Sequence, residues 1–80
     1  MIERIEAMVA TPCRPDGTVD PGYLNHDLAR AQRECGAKLV DLLATIPGQA
    51  VSVRYHEERE PDPILAKIRC IIEVYDANNA

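Results

Sequence analysis

The amino-acid sequence predicts an α+β fold in which one long helix packs on a three-stranded mixed sheet, in the order β-α-β-β. Three observations predict it. Apolar residues recur at helical spacing between Asp20 and Pro47, three other segments alternate between apolar and polar residues, and stretches with proline or glycine separate these segments. The 80 residues are expected to form a single domain, 1–80, with a small core.

The helix prediction rests on one continuous apolar stripe. Its members follow one another at steps of three and four residues: Leu24, Leu28, Ala31, Cys35, Leu39, Leu42 and Ile46. Asp20 can accept hydrogen bonds from the free N–H groups of the first turn, and Pro21 suits the first helical position. Pro47 and Gly48 are expected to end the helix. Gly36 is costly inside a helix, so we expect close backbone packing there.

The strand predictions rest on alternation with a period of two. Residues 3–11 alternate, although their apolar positions also fit a helix. Residues 50–56 alternate cleanly, and residues 64–75 form the longest and most apolar segment. We therefore place the third strand, β3, in the centre of the sheet.

A right-handed crossover makes the first two strands parallel, and a hairpin makes the last two antiparallel. The expected sheet order is first, third, second. This arrangement resembles half of a ferredoxin-like sandwich. The helix is expected to cover one face of the sheet, against Ile5, Val9, Val51, Val53, Ile68, Cys70 and Ile72. The opposite face, which we call the open face, has no second layer.

Composition and charge exclude several functional classes. The net charge of −4 and the pI near 5.0 argue against direct nucleic-acid binding, which needs a positive field. The chain has no Phe or Trp on which bases could stack. It has no apolar run long enough for a membrane span and no signal peptide, so we expect a cytoplasmic protein. The three cysteines form no C-x-x-C pair, and neither a metal nor a cofactor is expected.

The expected open face combines cations with apolar residues. It holds Arg4, Met8, Arg54, His56, Lys67, Arg69 and Ile71, with Glu6 and Glu73 among them. Such a face could receive an anion, or its charges could form cross-strand pairs. In a monomer, four apolar residues of this face would be exposed to solvent: Met8, Leu65, Ile71 and Tyr75. A homodimer would cover them, back to back or through the outer strands.

Catalysis finds little support in the sequence. Cys13 follows a predicted strand and adjoins Arg14, which could lower the thiol pKa, but only His26 and His56 could serve as its base. An ordinary loop cysteine is the preferred interpretation. The acidic residues after His56 match no metal-loop spacing. We therefore predict no catalytic residues, no metal site and no enzymatic activity.

The strongest interaction signal is the charged segment Glu57–Pro63, interpreted as a connection between the last two strands. The predicted partner-binding residues are Glu57, Glu58, Glu60 and Asp62, completed by Arg54 and Arg69. A solubilising turn is the alternative interpretation. The leading hypothesis is a non-enzymatic, acidic protein-binding module that inhibits by occluding a basic or nucleic-acid-binding surface.

In size and charge the chain resembles inhibitor proteins that phages or mobile elements encode, such as anti-CRISPR proteins, and toxin-immunity proteins. That resemblance implies a partner protein with a basic surface. The alternative hypothesis is a dimeric regulatory or ligand-binding domain. Its open face would hold an anionic ligand through Arg4, Arg54, Lys67 and Arg69.

Overall fold

The computed structural model describes residues 1–79. The elements follow one another as β1 (Glu3–Pro12), α1 (Pro21–Ala44), β2 (Val51–Glu60) and β3 (Leu65–Asp76), with a closing 3₁₀ turn at Ala77–Asn79. The opening segment is therefore a strand and not the helix that its apolar spacing also allowed. Residue 80 lies outside the described part of the chain.

Helix α1 begins as predicted. The Asp20 side chain accepts hydrogen bonds from the backbone N–H groups of Gly22, at 2.8 Å, and Tyr23, at 3.3 Å. The helix ends at Ala44, before the expected stop at Pro47, because Thr45 closes the last turn. Its backbone N–H and its hydroxyl both bond to the Leu42 carbonyl oxygen.

The sheet has the order β1-β3-β2, with the longest strand in the centre. It is antiparallel throughout, so the expected mixed sheet is wrong. β1 and β2 do run in the same direction, but β3 lies between them and runs against both. Since β1 and β2 never touch as neighbours, no parallel ladder forms.

The second strand is longer than predicted, which corrects the interpretation of Glu57–Pro63 as a connection. β2 continues to Glu60, and its ladder with β3 runs through the pair Glu60 and Lys67. Cations on β3 stand beside the glutamates of β2, and these cross-strand charge pairs favour continued extension. The turn itself is confined to residues 61–64.

The core lies between α1 and the first and third strands. Its buried members are Ile5, Ala7, Val9, Ala31, Cys35, Ile68, Cys70, Ile72 and Val74. Leu24, Leu28, Leu39 and Leu42 of the predicted stripe pack against them. Small buried side chains in both layers, such as Ala31 and Cys35 of the helix and Ala7 and Cys70 of the sheet, let the helix approach the sheet closely, and the Cys35 thiol lies 3.5 Å from the Cys70 carbonyl oxygen.

The helix packs mainly on two of the three strands, whereas the sequence pattern predicts cover over the whole face. Most of its contacts are with β1 and β3, and Gln32 reaches β2 by hydrogen bonds to Tyr55 and Glu57. Val53, expected under the helix, is 44% exposed, and Val51 is only half-buried. Gly36 is not a point of close packing either, because a Cβ atom there would meet nothing within 4 Å.

Candidate functional site

The acidic end of the molecule is formed by residues 13–20 together with the turn at residues 61–64. The Cys13 backbone N–H donates to the Ile64 carbonyl oxygen at 2.8 Å and holds the two segments together. A shallow cleft of about 250 Å³ lies between them, lined by Gly17 and Val19 on one side and by Pro61 and Asp62 on the other. Residues distant in sequence thus share one end of the structure.

Asp62 organises the turn. Its carboxylate accepts from the backbone N–H groups of Ile64 and Leu65, both at 2.8 Å, and lies 3.3 Å from the Lys67 ammonium. These backbone hydrogen bonds, with Lys67 as a further contribution, hold the pKa of Asp62 below its ordinary value. Asp62 is therefore a fixed negative charge at neutral pH.

The loop across the cleft is organised in the same way. Asp16 accepts from the hydroxyl and the backbone N–H of Thr18, and these bonds lower its pKa. The backbone N–H groups of Gly22 and Tyr23 lower the pKa of Asp20, and Arg14 lies 3.2 Å from it. Both carboxylates are thus ionised and held in place.

The predicted acidic residues of β2 divide between the two faces of the sheet. Glu57 points to the helix side, where it accepts from the Tyr55 hydroxyl at 2.6 Å and from the Gln32 amide at 3.4 Å. Desolvation, and then the bond to Glu57, raise the pKa of the Tyr55 phenol. Glu58 and Glu60 lie on the open face, on either side of Arg69.

Arg69 is the central cation of this region. It forms ion pairs with Glu58, at 3.8 Å, and with Glu60, which also accepts a hydrogen bond from it. His56 lies 3.7 Å from Glu58 and 3.5 Å from Glu73. Two of the predicted contact residues on β2 are therefore already bound to a third on β3.

The four cations expected on the open face do share it, as the strand register shows. Arg4 pairs with Glu6 at 2.9 Å, Lys67 with Asp62, and Arg69 with Glu58 and Glu60. The fourth, Arg54, lies 5.2 Å from the centre of the Tyr75 ring, a cation–π contact. The face is a set of cross-strand charge pairs, the second of the two possibilities that its composition allowed.

One apolar residue of the open face is buried from solvent. Ile71 is fully buried, although it points away from the helix. Its register neighbours are Glu6 on β1 and His56 on β2, and the stems of long polar side chains cover it. Of the other three apolar residues expected to need a partner here, Met8 is 47% exposed, and Leu65 and Tyr75 are half-buried.

An apolar strip between α1 and β2 was not predicted from the sequence. It consists of Val40 on the helix and of Val53 and Tyr55 on the strand, which are 66%, 44% and 46% exposed. A signal for it was present. On its helix side β2 continues with Glu57 and Arg59, so at two of its five helix-side positions it offers the helix nothing apolar to cover.

The cysteines divide as predicted into two core residues and one near the surface. Cys35 and Cys70 are buried free thiols, and the Cys35 thiol donates to the Cys70 carbonyl oxygen at 3.5 Å. Burial raises the pKa of Cys35. Half-buried Cys13 lies in a cleft of about 420 Å³ that also contains Thr11 and Asp27, hydrogen-bonded to each other at 2.7 Å.

Neither of the two histidines that the sequence offered as a base is among the residues that line the Cys13 cleft. Within residues 1–79, no group of three or more His, Cys, Asp or Glu side chains is arranged to hold a metal ion. No helix in this described range has the length and apolar character to cross a membrane. Comparisons of the chain with protein-family models, curated proteins and solved structures gave no match.

Proposed function

We propose that this chain is a non-enzymatic protein-binding module whose acidic end meets a basic surface of another protein and occludes it. The observation that carries the proposal is the hydrogen bond between Cys13 and Ile64, since it joins two acidic segments into one surface. The acidic end itself contains the carboxylates Asp16, Asp20 and Asp62, and the adjoining end of β2 adds Glu58 and Glu60 on the open face and Glu57 on the helix side. The same surface contains four cations: Arg14, Arg59, Lys67 and Arg69.

The internal ion pairs shape how such a surface would bind. They reduce the long-range field, so attraction alone would not make a tight complex. They also hold the carboxylates in fixed positions, which lowers the entropy lost on binding. Glu58 and Glu60 could exchange Arg69 for an arginine of the partner. The size and charge of the chain remain similar to those of anti-CRISPR and immunity proteins, so the proposed target is a basic, nucleic-acid-binding surface.

The test compares matched variants in affinity capture from the native host. The acidic variant carries Glu57→Gln, Glu58→Gln and Glu60→Gln. The control variant carries Glu3→Gln, Glu34→Gln and Asp41→Asn, which remove the same number of exposed carboxylates from other parts of the molecule. Circular dichroism establishes that both variants are folded.

We expect wild type and control to recover the same basic protein, with less recovered as salt rises. The acidic variant should lose it. Equal recovery by both variants, or recovery that does not depend on salt, would remove the proposal.

The second candidate is a dimeric ligand-binding domain that holds an anion on the open face. The observation in its favour is that Arg4, Arg54, Lys67 and Arg69 share that face. The carboxylates paired with three of them would have to be displaced. Native mass spectrometry of the purified protein should show a retained ligand that Arg54→Ala with Arg69→Ala releases. A native mass spectrum that shows only the mass of the chain, with no bound ligand, would count against this candidate.

A further inference from the structure

The outer edge of β2 presents unpaired backbone groups. The Ala77 N–H donates to the Ala50 carbonyl oxygen at 3.1 Å, which sets the phase of the β2–β3 ladder. Even-numbered residues of β2 therefore bond to β3, and odd-numbered residues from Val51 to Arg59 direct their N–H and C=O groups outward. Within residues 1–79 no side chain bonds to these groups. A long free edge of this kind is a template for another strand.

The other edge of the sheet is different. On β1 the Glu6 carbonyl oxygen points outward, and the Lys38 ammonium of α1 donates to it at 3.2 Å. A lysine over the middle of an edge strand opposes pairing with a further strand. The β1 edge is obstructed at Glu6, whereas β2 presents outward groups from Val51 to Arg59, so we expect pairing through the β2 edge, and a two-fold pair of this kind closes after two copies.

The charges of β2 suit an antiparallel copy of the same strand. Its first half carries the cation Arg54, and its second half carries Glu57, Glu58 and Glu60 together with Arg59. If His56 lies opposite the partner's His56, each Arg54 faces the partner's Glu58, once on either side of the two-fold axis. Both side chains lie on the open face, so these contacts can form. Parallel pairing in register would set Arg54 against itself.

The exposed apolar strip borders the same edge. Val53 and Tyr55 lie on β2 itself, and Val40 is the exposed apolar residue of the helix. A second strand alongside would remove part of this apolar surface from water. The same pairing would satisfy the outward N–H and C=O groups, in about eight new backbone hydrogen bonds in this register.

We propose that this chain forms a two-fold dimer through antiparallel pairing of β2 with β2, which joins two three-stranded sheets into one continuous sheet. This goes beyond the proposed function, because a partner at the acidic end does not require it. The dimer leaves the turn at residues 61–64 and the loop at residues 13–20 at its two ends.

The test uses complementary charge variants and measures mass by sedimentation equilibrium and native mass spectrometry. The wild-type chain, 8.9 kDa, should behave as a dimer of twice that mass. Arg54→Glu sets the introduced carboxylate against the partner's Glu58, and Glu58→Arg sets two guanidinium groups together. Each variant alone should raise the dissociation constant about tenfold or more.

Mixing the two single variants should restore a dimer that contains one copy of each, since both contacts then avoid the clash that each variant makes with itself. On one side of the axis in that mixed dimer, the introduced carboxylate faces the introduced guanidinium group. On the other side, the unchanged Arg54 of one copy faces the unchanged Glu58 of the other. A wild-type chain that is monomeric at hundreds of micromolar overturns the proposal. So do single variants that remain dimers, or a mixture that stays monomeric.

Proline variants keep the test independent of side-chain charge. Val53→Pro removes an outward N–H from β2 and leaves its bonds to β3 intact. Met8→Pro does the same on the outer edge of β1 and is the matched control. The dimer should be lost in the first variant and kept in the second. Loss in both, with both folded, would also overturn the proposed interface.

Discussion

Replacing Gly36 by alanine should stabilise the protein. Gly36 lies in the interior of α1, where glycine costs about 1 kcal/mol relative to alanine because it loses more backbone freedom on folding. The new Cβ atom would meet no heavy atom within 4 Å, so no steric term opposes the gain. We expect the free energy of unfolding to rise by about 0.5–1 kcal/mol.

For a domain of this size, 1 kcal/mol shifts the melting temperature by roughly 4–8 °C. Far-ultraviolet circular dichroism during heating and urea titration at room temperature both measure the change. The control variants are glycines whose structure forbids the gain. Gly48→Ala should destabilise, because its φ of +79° lies in the left-handed region. Gly22→Ala places a Cβ 3.1 Å from the Asp20 carboxylate and should gain nothing.

A lower melting temperature for Gly36→Ala, together with a lower one for Gly48→Ala, would refute the reasoning. That result would mean that the flank of α1 beside β2 is in close contact with another surface. An increase for all three variants would instead point to an effect on the unfolded chain alone.

Buried or fixed groups give three further predictions. Ile71→Ala should cost about 2–5 kcal/mol in unfolding free energy, whereas Met8→Ala on the same face should change it by less than about 0.5 kcal/mol; equal effects in urea titration would contradict the described burial. The pKa values of Asp20 and Asp62 are lowered in the folded state, so their stabilisation is present above the unfolded value near 3.8 and is lost as pH falls through the lowered folded values. Melts from neutral pH down to below that value should show this loss, and Asp62→Asn should lessen it; an unchanged pH profile would be the contrary result. Iodoacetamide should label Cys13 first and at an ordinary thiol rate, while rapid labelling at neutral pH would revive the enzymatic interpretation.

Much of the local structure could be predicted because it depends on periodicity. Alternation placed Ile5, Ala7 and Val9 of β1 on the helix side of the sheet. It placed the four cations, which lie on all three strands, on the open face, and the strand register agrees. The cap at Asp20 was predictable because its hydrogen bonds join residues that are two and three positions apart. The charged end of β2 was misread because proline-flanked glutamates resemble a loop, while the cations that favour their extension lie on another strand.

The candidate site was predictable in its residues and not in its arrangement. The acidic residues could be named from the sequence, but their partners could not, because Arg69 and Lys67 reach them across the ladder. The union of the two acidic segments depends on one hydrogen bond between residues 13 and 64, which has no local signature.

By itself the sequence determined the four elements, the two faces of the sheet and the acidic balance of the chain, since each follows from spacing or composition along a few residues. Only the tertiary structure decided where the helix lies across the sheet. Small residues in the centre of both layers, such as Ala31 and Cys70, draw α1 towards β1 and β3. The strand β2 is therefore only partly covered, and its free edge and apolar strip become the surfaces that a partner can reach.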